Sequence, residues 1–189
     1  MQGEGPSCIL ADWLFVGTVG DAYRVSRPES PVARVLNCVG GSVASALLLD
    51  ALEQRARTQL PRGGRHVLLP LSDFGSSRLD ATEVLRALDF VHEGAVAGEG
   101  VLIHCRSGVN RSCTLAVAYL VRHQNYSLRD ALAHVSKARP LARPHPLYMQ
   151  QLVALETAWR GASSITVEEI DVLYPSIESM LKSVMARDE

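Results

Sequence analysis

A cysteine and an arginine stand six positions apart at a predicted strand-to-helix junction. The apolar run 101–103 precedes Cys105, and a helix-like run over 112–121 follows Arg111. This layout places a thiol at the floor of a ring of backbone N–H groups beside a helix N-terminus, which is an anion site. A thiol in such a field is biased toward the thiolate, its nucleophilic form. The pattern therefore predicts an enzyme that receives a phosphoryl group on sulfur.

The residues around this pair have types that suit a phosphate loop. The predicted loop consists of Arg106, Ser107, Gly108, Val109, Asn110 and Arg111. The planar fork of Arg111 can bind two phosphate oxygens at once, which a lysine cannot do. Ser112 can donate a hydrogen bond to the sulfur and help it leave in the second step. His104 is expected to hold the loop through nearby backbone groups rather than to act as the acid. The competing interpretation is an inert buried cysteine near a solvent-facing arginine.

A leaving oxygen needs a proton, so a general acid is expected on a separate loop. The apolar run 67–69 ends in proline, and a loop rich in glycine and serine follows, in which Asp73 is the first carboxylate. Asp80 is the competing carboxylate, but a helix is predicted from Ala81 onward, and Asp80 is expected to cap it. Asp73 is therefore the predicted acid, and a turn or cap residue is the alternative role for it.

These residues together resemble the active site of the atypical dual-specificity protein phosphatases, within the cysteine-dependent protein tyrosine phosphatase superfamily. The family pattern His-Cys-x-x-Gly-x-x-Arg-Ser/Thr is matched by His104, Cys105, Gly108, Arg111 and Ser112. The family carries its acid upstream of the cysteine, as Asp73 stands here. The resemblance implies hydrolysis of phosphotyrosine and phosphoserine or phosphothreonine on proteins through a phosphocysteine intermediate, with no metal and no cofactor.

Two departures from the family pattern concern the substrate. The family often has serine where Asn110 stands, and asparagine where His145 stands. Asparagine before the arginine also occurs in related RNA 5′-triphosphatases, so a phosphatase acting on RNA 5′ phosphates or on phosphoinositides is the alternative. A noncatalytic phosphate-binding adaptor is the second alternative, and the complete set of catalytic residues argues against it.

Length and patterning predict an α/β fold with a central, mostly parallel twisted sheet flanked by helices, as in the dual-specificity phosphatases. The chain has 189 residues, 47% of them apolar, and a formal net charge of −1, so no global basic field attracts nucleic acid. No apolar run is long enough to predict a membrane span. The four cysteines do not form a disulfide framework, and a cytoplasmic protein is expected, with the nucleus as a second compartment. Helices are predicted over 42–57, 81–96, 128–139 and 148–160.

The resemblance ends at Gly161, so a catalytic domain over 1–161 and a C-terminal helical extension over 162–189 are expected. The run Thr166-Val167-Glu168-Glu169 is typical of a capping box that opens a helix. Apolar residues then repeat at spacings of three and four: Ile170, Leu173, Ile177, Leu181 and Val184. This stripe must bury against something. Packing on the domain, and hence a monomer, is favoured over a dimer formed through residues 166–187.

Three further features have both a structural and a functional interpretation. The basic segment 62–66 is predicted to be a solvated flexible turn, with contact to substrate as the alternative. The segment 139–146 contains Arg139, Arg143 and His145, which either border the active-site mouth or form a structural turn. Cys38 ends a predicted strand near the loop, where a small buried residue is favoured over a reversible disulfide with Cys105 under oxidation.

Overall fold

The computed structural model describes residues 5–27, 29–39, 60, 64–73 and 78–173. Residues 171–173 are described by their backbone alone. The described residues form five strands and six helices. The strands are β1 (Ser7–Leu10), β2 (Leu14–Gly17), β3 (Val32–Val39), β4 (Arg65–Leu71) and β5 (Gly100–His104). The helices are α1 (Val19–Val25), α2 (Ala81–Ala97), α3 (Arg111–His123), α4 (Leu128–Ala138), α5 (Pro146–Arg160) and α6 (Val167–Leu173).

The five strands form one sheet in the order β1-β2-β5-β3-β4. Strands β2, β5, β3 and β4 run parallel, and β1 is antiparallel to β2. Every residue of β5 is buried, as expected for a central strand of a parallel sheet that is covered on both faces. The predicted α/β fold with a central, mostly parallel sheet flanked by helices is confirmed. Its carboxyl edge is the place where parallel α/β sheets bind ligands.

Side chains of the central strand alternate between two cores. Val101 and Ile103 of β5 belong to the larger core, which also contains buried residues of α2, α3, α4 and α5. Leu102 belongs to a smaller core with Ala22 of α1 and Val35 of β3. Because both of its faces are packed, β5 holds the residue that follows it in a rigid position.

The two helices on either side of β5 in the chain begin and end largely as predicted. Helix α2 follows Asp80, whose carboxylate accepts hydrogen bonds from two N–H groups of the first turn, and it ends at Gly98, which has a φ of 67°. The predicted cap and the helix over 81–96 are therefore confirmed. Helix α3 begins at Arg111, and every residue from there to Val121 is buried. The helix after the phosphate loop thus runs through the middle of the larger core.

Helices α4 and α5 also match the predictions to within two residues at each end. Ser127 caps α4 by accepting a hydrogen bond from the Asp130 N–H. Helix α5 begins at Pro146, two residues earlier than predicted, because proline suits the first helical position and His145 caps the helix by accepting from the Leu147 N–H. The predicted end of α5 at Gly161 is confirmed by a left-handed φ of 86°.

The segment predicted as a flexible basic turn is instead partly a strand. Arg65 and His66 belong to β4 and pair with Arg34 and Val35 of β3. Arg65 also forms an ion pair of 3.2 Å with Glu93 of α2. Pairing with a buried neighbour therefore overrides the glycine signal that precedes these residues. The helix predicted over 42–57 lies outside the described residues.

The capping box that opens α6 is confirmed. The Thr166 N–H donates to Glu169 Oε2 at 2.9 Å, and the Glu169 N–H donates to Thr166 Oγ1 at 3.3 Å. Ile165 and Ile170 are 2% and 0% exposed and join the larger core. The first residue of the predicted apolar stripe is thus packed within the chain. The later stripe positions, 173, 177, 181 and 184, lie beyond the described side chains.

Candidate active site

The predicted phosphate loop lies at the carboxyl edge of the sheet, between the end of β5 at His104 and the start of α3 at Arg111. Cys105 is fully buried at the end of the central strand. Arg106 and Ser107, which come next, are exposed. The loop therefore connects a buried thiol to a rim that solvent reaches.

The end of β2 anchors the first residues of the loop. The Cys105 N–H donates to the Gly17 carbonyl oxygen at 3.4 Å, and the Val19 N–H donates to the Arg106 carbonyl oxygen at 3.3 Å. These bonds use one backbone group on each side of the Cys105–Arg106 peptide. The loop is thus fixed to the neighbouring strand as well as to its own strand and helix.

The Cys105 sulfur lies among hydrogen-bond donors. Its Sγ is 3.3 Å from Ser112 Oγ and 3.2 Å from the Gly108 nitrogen, which donates to it. Burial raises the pKa of the Cys105 thiol, but hydrogen bonds from Ser112, the positive charge of Arg111 and the Gly108 N–H together lower it below its ordinary value. These contacts therefore shift the thiol toward the thiolate, which is the direction that the sequence predicts.

The loop closes because residue 108 is a glycine. Gly108 has a φ of 66°, a conformation that other residues rarely adopt. A Cβ atom at this position would lie 2.7 Å from the Gly17 carbonyl oxygen. The close approach of these two backbones brings the Gly108 N–H to the sulfur.

Arg111 is 2% exposed and faces the segment that carries the predicted acid. Its Nη1 donates to the Leu71 carbonyl oxygen at 3.3 Å, and its Nη2 lies 3.1 Å from Asp73 Oδ1. Among the residues described, no group accepts a hydrogen bond from its Nε. A buried guanidinium with an unused donor beside a thiolate-favouring sulfur is suited to bind an oxyanion.

Residues 71–73, here called the acid segment, continue from the end of β4 toward the phosphate loop. The Asp73 side chain is 46% exposed. Its main-chain oxygen accepts a hydrogen bond of 2.8 Å from Asn110 Nδ2. The structure therefore brings the predicted acid next to Arg111 and next to the predicted loop. Asp80, the competing carboxylate, caps α2.

His104 is buried beneath the loop, with 2% of its surface exposed. Burial lowers its pKa to about 4, although a hydrogen bond with the Cys105 backbone opposes this change. Its Nδ1 has no hydrogen-bond partner among the described residues. A neutral, buried imidazole fits the prediction that this residue does not supply the proton, and its role as loop support stays a prediction.

The other two buried cysteines differ from Cys105. Burial raises the pKa of Cys38 well above its usual value, and it raises that of Cys113 to about 12. Cys113 Sγ donates to the Gly108 carbonyl oxygen at 3.3 Å. Both thiols stay protonated near neutral pH, which fits the favoured interpretation of Cys38 as a small buried residue. A disulfide between Cys38 and Cys105 stays the untested alternative.

Arg139 supports the phosphate loop through hydrogen bonds to its backbone. Its position in the sequence did not decide between a place at the active-site mouth and a structural role. Its side chain donates to the carbonyl oxygens of Gly108 and Ser107 and to Ser7 Oγ. It is 9% exposed and pairs with no carboxylate among the described residues. Arg139 thus forms a structural contact below the loop rather than a free cation at its mouth. No local sequence pattern predicts these hydrogen bonds, because the partners lie more than 30 positions away.

The comparisons with known proteins agree with this geometry. Residues 49–158 match the family model described as the dual specificity phosphatase catalytic domain. The chain belongs to this family of cysteine-dependent phosphatase domains.

Individual relatives have the same family name. The chain is 32% identical over 152 residues to dual specificity protein phosphatase 22 of Xenopus tropicalis, an alignment that covers 80% of this chain and 65% of that protein. It is also 32% identical over 156 residues to the Homo sapiens protein of that name, covering 82% of this chain and 76% of the relative. The chain thus spans less than two thirds of the length of the Xenopus tropicalis relative.

Solved structures share the fold. Human DUSP28 is similar with a TM-score of 0.63 at 23% identity, over 81% of this chain and 93% of that one. DUSP15 is similar with a TM-score of 0.65 at 20% identity, over 89% and 96%. In the described part of the chain, no helix has both the length and the apolar character needed to cross a membrane.

Proposed function

We propose that this chain hydrolyses phosphotyrosine and phosphoserine or phosphothreonine on proteins, through a phosphocysteine intermediate on Cys105. The arrangement around the sulfur is the observation that carries this proposal. A thiol with a lowered pKa lies 3.2 Å from the Gly108 nitrogen, and the buried guanidinium of Arg111 nearby has a donor without a partner. A phosphate group would satisfy that donor, and backbone N–H groups of the loop would bind its other oxygens.

In the first step, the Cys105 thiolate attacks phosphorus and the bond from phosphorus to the ester oxygen breaks. Asp73, in its protonated form, gives its proton to the departing oxygen, so an alcohol or a phenol leaves. Arg111 binds two of the phosphate oxygens through its fork. The result is a phosphocysteine and an ionised Asp73.

In the second step, a water molecule attacks the phosphorus of the phosphocysteine. Asp73 takes a proton from that water as the bond from phosphorus to sulfur breaks. Ser112 stabilises the departing sulfur, since its Oγ lies 3.3 Å from Sγ. Inorganic phosphate is released, and Cys105 returns to the thiolate.

The family membership supports a phosphoprotein as the substrate. The RNA alternative depends on Asn110, but both polar atoms of that side chain have partners within the protein, namely the Asp73 oxygen and the His145 N–H. Its presence therefore gives no argument for an RNA substrate. Arg106 is the one basic side chain inside the loop before Arg111, which gives little support to a phosphoinositide.

A panel of substrates tests the proposal. Release of inorganic phosphate is measured from phosphotyrosine and phosphothreonine peptides, a 5′-triphosphorylated RNA and a phosphoinositide, with Cys105→Ser protein as the control for contaminating activity. We expect release from both peptides and a phosphate trapped on Cys105 after rapid quenching. Turnover of the RNA or the lipid alone would overturn the substrate assignment. Phosphate binding without any turnover would favour the adaptor.

We also propose that the protein is a monomer in the cytoplasm, with the nucleus as a second compartment. The free cysteines, including the one that the mechanism needs as a thiol, support a reducing compartment.

Arg129 donates to the Ser164 carbonyl oxygen and to Glu169, which ties the start of the extension to α4. The proposed boundary at 161 therefore marks the end of α5 rather than the end of the core. Light scattering of the full chain checks the monomer, and a dimer mass would contradict it.

A further inference from the structure

Three consecutive carbonyl oxygens of the acid segment are each held by a side chain from another part of the site. The Leu71 oxygen accepts from Arg111 Nη1 at 3.3 Å, and the Ser72 oxygen accepts from Tyr148 Oη at 2.5 Å. The Asp73 oxygen accepts from Asn110 Nδ2 at 2.8 Å. The backbone that carries the predicted acid is thus hydrogen-bonded to the phosphate loop and to α5.

Asn110 has a special place among these three donors. Its side chain also accepts a hydrogen bond of 2.8 Å from the His145 N–H, so it joins the acid segment to the turn before α5. With 8% of its surface exposed, the residue is buried between the two. Both polar ends of the amide are therefore used, the Nδ2 group as a donor to the acid segment and Oδ1 as an acceptor from the turn before α5.

The position of Asn110 in the chain makes this arrangement unusual. It is the N-cap residue of α3, where an asparagine side chain normally accepts a hydrogen bond from the first turn and contributes about 1 kcal/mol of stability. Here no side-chain cap bond forms, and the backbone has a φ of −105° and a ψ of −85°. The amide is turned away from its own helix and toward the acid segment, so helix capping does not explain it.

We propose that Asn110 is a positioning residue for Asp73. Its hydrogen bond to the Asp73 backbone holds the acid where its carboxyl group can reach the leaving oxygen of a bound substrate. This inference rests on the proposed function, in which Asp73 transfers the proton. Asn110 does not touch the reacting atoms in this proposal. It acts through the backbone of Asp73, so its loss should impair proton transfer and leave phosphate binding intact.

The two departures from the family pattern then have one explanation. The residue at 145 supplies only its backbone N–H to this contact, so its side chain is free to cap α5 instead. Asn110 supplies the side-chain amide that contacts both the Asp73 oxygen and the His145 N–H. The substitution of the usual serine by Asn110 therefore bears on how the acid is placed, and not on which phosphate is bound.

The test compares substrates whose leaving groups need a proton to different degrees. We measure kcat/KM of wild-type and Asn110→Ala protein with an alkyl phosphate and with 4-nitrophenyl phosphate, whose phenolate leaves without help. We expect a loss of about 10- to 100-fold on the alkyl phosphate, the range for a group displaced by a fraction of an ångström to an ångström. On 4-nitrophenyl phosphate the loss should be less than about threefold. The inhibition constant of inorganic phosphate should be unchanged.

The matched control is Thr114→Val. Thr114 Oγ1 donates to the Asn110 carbonyl oxygen at 3.1 Å, so this change removes a neighbouring hydrogen bond that does not reach the acid segment. Its ratio of the two kcat/KM values should equal that of the wild type. If Asn110→Ala does not fold, Asn110→Asp keeps an acceptor for the His145 N–H but removes the donor to the Asp73 oxygen, and it should show the same selective loss.

The double variant separates this inference from the proposed function. In an Asp73→Asn background, adding Asn110→Ala should change kcat/KM on the alkyl phosphate by less than about twofold, because both changes remove one proton transfer. If the kcat/KM losses of the two single variants instead multiply in the double variant, Asn110 acts independently of Asp73. That result would overturn this inference and leave the proposed function intact. An Asp73→Asn protein with full activity on the alkyl phosphate would instead refute the acid assignment, and the inference with it.

Discussion

The phosphate loop and the acid segment meet in one site but are held in place by different means. The donors to the Cys105 sulfur come from Gly108 and Ser112, three and seven positions along the chain. The donors to the acid segment come from residues 37 to 76 positions away, among them Asn110 and Tyr148. A short motif can therefore specify the nucleophile and its surroundings, whereas the fold must supply the placement of the acid.

The largest expected effect is the removal of the nucleophile from the phosphate loop. Cys105→Ser should lower kcat by about 10⁵-fold or more, the order of loss when a covalent nucleophile is removed. It should still bind phosphate, because the N–H groups and Arg111 remain. Turnover is measured on a phosphotyrosine peptide, and phosphate binding by calorimetry. Activity above a hundredth of the wild type would show that sulfur is not the nucleophile.

The next effect tests whether the loop needs the shape of its cation or only the charge. Arg111→Lys should lose about 10³-fold in kcat/KM and should also bind phosphate weakly, because the two parallel donors are lost while the charge stays. The inhibition constant of inorganic phosphate gives the binding part of this loss. A variant that bound phosphate as tightly as the wild type would contradict the bidentate contact.

Removal of the acid should spare phosphate binding, in contrast to the change at Arg111. Asp73→Asn should lower kcat/KM on an alkyl phosphate by about 10²-fold and should change it little on 4-nitrophenyl phosphate. A uniform loss on both substrates would point to a structural role for Asp73.

The buried histidine beneath the loop should make stability depend on pH. The pKa of His104 in the folded protein is about 4, below its ordinary value of 6.5, so its contribution is complete above pH 6.5 and is lost as the pH falls toward 4. The free energy of unfolding should fall by about 3 kcal/mol across that interval from this group. Urea titrations of wild-type and His104→Gln protein at pH 7, 5.5 and 4.5 isolate it, and parallel curves would contradict the burial argument.

The smallest effect is the difference between two glycines, one in the loop and one at the end of α2 that serves as its matched control. Gly98 and Gly108 have nearly the same φ, 67° and 66°, but a Cβ at Gly98 would meet nothing within 4 Å. Gly98→Ala should cost about 1 kcal/mol, and Gly108→Ala about 3 kcal/mol, because the contact with Gly17 adds to the backbone strain. Thermal unfolding measures both, and equal losses would show that the close approach is unimportant.

Much of the fold could be predicted because its signals are local. The helix over 81–96 carries its own cap at Asp80 and a stop at Gly98, and the capping box at Thr166 is complete in four residues. The prediction of a flexible turn was wrong at Arg65 and His66, which belong to β4. These two residues follow glycines and have no strand pattern of their own. Their pairing with β3 depends on residues about thirty positions earlier.

The sequence by itself determined the chemistry that the phosphate loop can perform. The order of a buried strand, a thiol, a glycine and an arginine at a helix start is enough, since each contact spans only a few residues. The tertiary structure alone decided how the backbone of Asp73 is held beside that loop, through the amide of Asn110 and the hydroxyl of Tyr148, and how Arg139 supports the loop from below. Hydrogen bonds between distant residues exist only once the sheet and helices have packed, so no local pattern could announce them.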